Sequence, residues 1–137
     1  MQILITVFIL IIIAIVAIFL ITGLTGAPYV PTHRSELTKS ISKLYSLKSD
    51  DLLIDLGSGD GLVLDIATKH HAHALGLELN PILALLSKYH YRHNPKITIK
   101  CRNFYHFPFP ENTTIIYAFA VGPHIEPIHR KIQREAD

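Results

Sequence analysis

A parallel α/β sheet with helical crossovers, set behind one apolar N-terminal helix, is the architecture this sequence predicts. Three observations carry it. The first is the stretch 2–22, which holds no charged residue and is almost entirely Ile, Leu, Val, Phe and Ala. The second is an alternation of short apolar runs with segments of helical spacing, the pattern of strands joined by helices rather than by hairpins. The third is D-L-G-S-G-D-G (Asp55 to Gly61), directly after the apolar run Leu52-Leu53-Ile54, with Glu78 at the end of the next apolar run. An acid, three glycines at alternate positions and a second acid one strand later describe a nucleoside-cofactor site. The glycines let the chain turn tightly from strand into helix and let a ligand approach the backbone. The second acid accepts hydrogen bonds from two ribose hydroxyls.

Each element has its own signal. About twenty apolar residues at 1.5 Å rise cover the roughly 30 Å hydrocarbon layer, so residues 2–22 are expected to span a membrane. A secretory signal competes, but it wants a positive n-region and a shorter apolar core. No Lys or Arg precedes Arg34, and Ala27, small enough for a cleavage site, is followed by Pro28. An uncleaved anchor is the better reading. Arg34, Lys39, Lys43 and Lys48 all follow the span, which by the positive-inside rule leaves the soluble part in the cytoplasm. A single cysteine, Cys101, excludes an intrachain disulfide and suits a reducing compartment. A net charge of +2 gives no reason to expect a nucleic-acid partner.

The expected organisation is an anchor (1–22), a juxtamembrane linker with an amphipathic helix (23–50) and a cofactor-binding core (51–137). Gly and Pro dominate 23–32. Thr32 can cap a helix running to about 47, whose Leu37, Ile41, Leu44 and Leu47 fall on one face. Strands are expected at 52–56, 74–79, 97–101 and 113–120. The glycine loop opens a helix over 62–69 with Val63, Ile66 and Ala67 inward. Asn80-Pro81 starts another, Asn as cap and Pro in the first turn, running to about 93. Residues 103–112 form a loop carrying Phe104, Tyr105, Phe107 and Phe109, and a basic helix covers 124–135.

The spacing Gly57-x-Gly59-x-Gly61 puts Leu62 where a dinucleotide site needs its third glycine. With the acid at Asp55, it resembles motif I of class I S-adenosylmethionine-dependent methyltransferases rather than a nicotinamide site. P-Y-V-P-T (28–32), a helix, the glycine loop and G-L-E-L-N-P (76–81) together are similar to small membrane-anchored protein-lysine methyltransferases. That family includes animal mitochondrial enzymes that modify the adenine nucleotide translocase and the membrane-ring c protein of ATP synthase. The resemblance implies a Rossmann-like class I fold, S-adenosyl-L-methionine as cofactor and a protein lysine as substrate. It also implies a cofactor-binding loop of Asp55, Gly57, Ser58, Gly59, Asp60 and Gly61, lining the methionine moiety, with Glu78 on the ribose. Asn103 would bond the adenine amino group and Phe104 pack on the base, ordinary loop packing being the alternative for Phe104. Pro31 and Thr32 would close the site, although capping explains Thr32 equally well.

Other residues fit chemistry less well. Tyr117 and Phe119 read as core of the fourth strand or as the lining of a lysine channel. His70, His71 and His73 cluster at a helix end with no cysteine or carboxylate to complete a metal set, and His124 and His129 are off one helical face. Cys101 reads as a strand thiol. The basic tail around Arg130, Lys131 and Arg134 reads as a solvated face, or as one touching anionic headgroups. A complete member of the family has seven strands in the order 3-2-1-4-5-7-6. Four are expected here, so the fourth becomes an edge bearing Ile115, Ile116, Tyr117 and Phe119, which a partner or a missing segment would cover. A non-catalytic, membrane-tethered module that binds cofactor or partner is therefore the alternative function.

Overall fold

The computed structural model of the protein describes residues 1–25, 34–120 and 122–136. The P-Y-V-P-T segment, with Pro31, Thr32 and its expected cap, lies outside them. Strand β1 (Leu52–Leu56) occupies the middle of a four-stranded sheet with β2 (His73–Glu78), β3 (Ile97–Cys101) and β4 (Ile115–Ala118). The order is β3-β2-β1-β4 and every pairing is parallel. The helices are α1 (Gln2–Thr25), which precedes the core, and α2 (Arg34–Leu44), α3 (Leu62–Lys69), α4 (Pro81–His90) and α5 (Ile125–Ala136). This is the Rossmann-like arrangement expected from the alternation of elements.

β1 and β2 are covered on both faces, which is why both read as largely apolar runs. On one face Leu53, Ala74 and Ile99 pack against Val63, Leu64, Ile66 and Ala67 of α3, with Leu37 and Ile41 of α2 beyond them. On the other, Ile54, Leu56, Leu75 and Leu77 meet Phe104 and Ile128, with Tyr105, Phe107 and Phe109 beside them. The aromatic segment thus has a packing role. The crossover from β3 to β4 holds a short 3-10 turn, Phe104–His106, and its rings cover the sheet where a helix would otherwise lie.

The basic tail is not a uniformly solvated face. Lys131 is buried against the aromatic segment: its Nζ donates to the Phe107 carbonyl at 3.0 Å, pairs with Glu135 and stands over the Phe109 ring. Glu135 Oε2 accepts from the Phe109 N–H at 3.0 Å. The hydrogen bond from Lys131 holds the Glu135 carboxyl below its usual range. One i,i+4 ion pair therefore fastens α5 to the loop, while Arg130 and Arg134 remain exposed.

Several boundaries move for visible reasons. α2 stops at Leu44, which points outward, and Leu47 rejoins the core from the segment beyond. α4 ends three residues before the expected 93. There the Asn94 amide reaches back to Thr68 Oγ1 at 3.1 Å and pulls the chain toward α3. β2 begins one residue early because the His73 N–H bonds the Asp51 carbonyl. β4 is shorter than 113–120, and among the described residues it pairs with β1 alone. It forms the expected edge, with Phe119 exposed just beyond it.

The first 22 residues of α1, Gln2–Gly23, form a helix long and apolar enough to cross a membrane. Two of its polar side chains are satisfied locally: Thr6 and Thr22 donate to the carbonyls of Gln2 and Ile18. At its far end, Thr22 Oγ1 also accepts from the Asn80 amide at 3.3 Å, tying the helix to the core.

Candidate functional site: the glycine loop and Glu78

The site forms at the C-terminal edge of the sheet, where α/β folds of this kind hold ligands. Leaving β1, the chain hooks onto β2: the Gly57 and Ser58 N–H groups both donate to the Leu77 carbonyl, at 2.8 and 3.2 Å. The Gly61 N–H closes the turn on the Ser58 carbonyl, and Asp60 Oδ1 accepts from the Leu62 N–H to open α3. Glu78 holds the arrangement from the next strand. Its Oε2 accepts from the Gly59 N–H and its Oε1 from the Asn80 N–H, each at 2.7 Å. It is buried, so it is no solvated strand end. Asn80 Oδ1 in turn caps α4 through the N–H groups of Ile82 and Leu83. A carboxylate oxygen has two lone pairs, so each Glu78 oxygen keeps acceptor capacity beyond its backbone bond.

The loop residues divide by what they face. Gly57 has φ +86°, and a Cβ there would meet nothing within 4 Å, so this backbone is open to a ligand. Gly61 has φ +84°, but its Cβ would stand 2.6 Å from Ser87 Oγ and 2.6 Å from Tyr91 Cε2. Gly61 is thus required by the packing of α4 on the loop. The Ser58 hydroxyl turns inward, where it blocks any Cβ on Gly76 at 2.5 Å. Ser58 and Gly61 therefore shape the loop, and any contact they make with a ligand would come from their backbone. Gly57→Ala is expected to reduce ligand affinity with a stability loss of about 1 kcal/mol, the ordinary penalty for a left-handed alanine. Gly61→Ala adds a steric conflict and is expected to lower the melting temperature more. Thermal denaturation of both variants separates the two roles.

Asp55 lies abreast of Gly76 on β2 and Tyr117 on β4. Burial, with Glu78 and Asp60 nearby, pushes its carboxyl up to about 8. Burial also raises the Tyr117 hydroxyl, with Asp55 adding to it. Asp55 is therefore largely neutral at pH 7, and a positive charge beside it would ionise it.

Asn103 follows β3 at the same edge, and its Oδ1 accepts from the Tyr105 N–H at 3.0 Å, capping the 3-10 turn. Phe104 lies in the second core cluster with 6% exposure. Ser87 and Tyr91 form walls behind the loop that no local pattern announces, because they lie a whole crossover away.

A groove of about 1010 Å³ runs along α5 between Tyr105, Pro127 and Arg130, and no loop residue lines it. His70, His71 and His73 are exposed. Among the described residues, no three His, Cys, Asp or Glu side chains converge to hold a metal ion.

Comparison with known proteins agrees with this geometry. The chain is 40% identical over 68 residues to a Caenorhabditis elegans lysine N-methyltransferase that acts on the C subunit of ATP synthase, across 45% of this chain and 35% of that protein. It is 36% identical over 62 residues to the Xenopus laevis protein of the same name, across 45% of this chain and 26% of the relative. The matches thus span about a third or less of these relatives. Among solved structures, an RNA methyltransferase from Salinibacter ruber in complex with S-adenosyl-L-homocysteine superposes with a TM-score of 0.70 at 19% identity, over 77% of this chain and 71% of that one. An S-adenosylmethionine-dependent methyltransferase from Geobacter sulfurreducens, also in complex with S-adenosyl-L-homocysteine, superposes with 0.61 at 18% identity, over 84% and 50%. At such identities these two likenesses speak for the fold. Residues 54–136, more than half of the chain, match the methyltransferase domain, and the chain belongs to that family.

Proposed function

We propose that the protein binds S-adenosyl-L-methionine at the glycine loop and transfers its methyl group to a protein lysine from a membrane-anchored position. The observation that carries the reading is Glu78 clasping Gly59 and Asn80 beside the open backbone of Gly57. That arrangement presents a fixed carboxylate to a ribose and a bare peptide to the rest of the ligand. Gly57, Gly59 and Asp60 would hold the methionine portion, Asp55 would meet its positive charge, and Asn103 would face the adenine.

The cofactor, when bound, supplies an electrophilic methyl on a positively charged sulfur. The protein's task is then positioning, since an in-line approach at about 3 Å accounts for much of such a rate. A lysine must arrive uncharged, which an apolar approach favours by desolvation. Phe119, exposed one residue past Ala118, the pairing partner of Leu56, would line that approach. Lysine as acceptor is supported by the similarity to the two lysine methyltransferases. Titration calorimetry of the full chain in detergent with S-adenosyl-L-methionine tests the reading, and micromolar binding is expected. No heat up to millimolar ligand would reject it.

Anchoring by α1 is part of the same proposal, with the core in the cytoplasm as the basic residues after the span suggest. A cysteine introduced at Ser49 is expected to stay unreactive toward a membrane-impermeant thiol reagent in intact cells. Ready labelling would reverse the orientation.

A further inference from the structure

Helix α4 is built inside out. It buries Ala84 and Ser87, its small residues, while Leu85, Leu86 and Tyr89 are 59–68% exposed. At about 3.6 residues per turn these three fall on the side opposite Ala84 and Ser87. Scattered surface leucines are ordinary, whereas a contiguous apolar face marks a binding surface. The small inward residues have a reason, since Ser87 and Tyr91 pack where Gly61 lacks a side chain. Nothing in the core accounts for the outward ones.

Two observations indicate what covers them. The first is position. The Asn80 amide, at the cap of α4, bonds Thr22 at the end of the apolar helix α1. Leu85 to Tyr89 follow that contact by about 8–14 Å of helix. The second is charge. From residue 79 to 110 the chain has no Asp or Glu, yet it carries Lys88, Arg92, Lys96, Lys100 and Arg102. Lys88 and Arg92 are exposed beside the apolar face, and the Arg92 guanidinium stands 4.2 Å above the Tyr89 ring. Apolar residues with an aromatic, flanked by cations and free of acids, are the make-up of a helix lying in a lipid headgroup layer. A nucleic acid would match the charge but would leave Leu85 and Leu86 in water.

We propose that α4 rests on the anionic surface of the bilayer that α1 crosses, with Leu85, Leu86 and Tyr89 inserted among the headgroups and Lys88 and Arg92 on the phosphates. The inference rests on the anchored reading of α1. It deepens that reading by fixing how the core sits, with the α4 side of the cofactor loop held against the membrane. Substrate lysines would then be those close to a lipid surface.

The chain has no tryptophan, so single reporters can be placed in the full protein reconstituted in vesicles of phosphatidylcholine and phosphatidylserine. Tyr89→Trp, at an exposed position, is expected to emit at shorter wavelength and to lose most of its emission when the lipids carry bromine. Phe8→Trp, within α1, is expected to be quenched as well, while Asp50→Trp, at the opposite end of the strands, is not. Adding Lys88→Glu and Arg92→Glu to Tyr89→Trp should restore its emission. Quenching of Phe8→Trp alone would leave the anchor standing and overturn the docking of α4. Quenching of neither would reject the anchor, and this inference with it. A blue shift at Tyr89→Trp without quenching would assign the face to a second copy or another protein, and would equally overturn the proposal.

Discussion

Glu78→Ala is expected to lose about two orders of magnitude in affinity for S-adenosyl-L-methionine and to unfold at a markedly lower temperature. The affinity loss follows from charge-assisted hydrogen bonds to ribose hydroxyls, each worth roughly 1.5–3 kcal/mol, with about 1.4 kcal/mol per tenfold. The stability loss follows from two buried N–H groups, Gly59 and Asn80, which alanine leaves without their acceptor. Two such bonds amount to about 3 kcal/mol or more. Glu78→Gln keeps one acceptor but turns an amide NH2 toward the other donor, so it should fall between the parent and alanine in stability. Because Glu78 shapes the loop as well as facing the ligand, weaker binding by itself does not assign the ribose contact. A cofactor analogue lacking the ribose hydroxyls makes the distinction as a double-mutant cycle. The parent should discriminate strongly against the analogue and Glu78→Ala should not. Equal discrimination by both proteins would mean that the carboxylate never touches the ribose.

Asp55→Asn is expected to make the protein more stable above pH 8 and worse at binding its cofactor. The Asp55 carboxyl ionises at about 8 in the folded protein against 3.8 for the free side chain. The folded state therefore keeps a proton that the unfolded chain has released. The stability this supplies is complete below about pH 4 and is lost as pH rises through about 8. Asparagine removes the buried charge, and a gain of only about 1 kcal/mol would raise the melting temperature by about 4–8 °C in a domain of this size. Binding has the opposite dependence. A sulfonium beside Asp55 favours the ionised form, so the parent should release a proton on binding and gain affinity between about pH 6 and 8, by up to about tenfold per unit. Asp55→Asn should show no such slope. S-adenosylhomocysteine, which lacks the sulfonium charge, should show a shallower one. Calorimetry in buffers of different ionisation enthalpy counts the proton directly, and a parent that releases none would remove Asp55 from the cofactor's charged end.

The strand-and-helix alternation, the position of the glycine loop and the placement of Glu78 one strand beyond it are all legible in the chain before it folds. Each depends on near neighbours. An apolar run of five, a Pro after a capping Asn and glycines at alternate positions all state a backbone conformation within a few residues. Elements whose length depends on partners are misjudged at their ends. Among the described residues β4 pairs with β1 alone and stops after four residues, and α4 ends where Asn94 is drawn to Thr68.

The direction in which side chains face is settled only when elements meet. Phe104 has two readings in sequence, and only the folded chain shows its ring buried in one cluster with Leu75, Leu77 and Ile128. Lys131 looks like one more solvated cation along the chain, yet the aromatic loop closes over it and supplies a carbonyl. Gly61 and Ser58 belong to the motif by spacing, but their surroundings come from α4 and β2, elements that arrive from elsewhere in the chain. In α4 the inward face is set by its neighbours: Ala84 and Ser87 are buried, Ser87 standing where Gly61 has no side chain, while Leu85, Leu86 and Tyr89 face outward. Spacing along a chain sets which residues share a face, while the direction of that face is decided by the steric fit and burial available when the chain has folded.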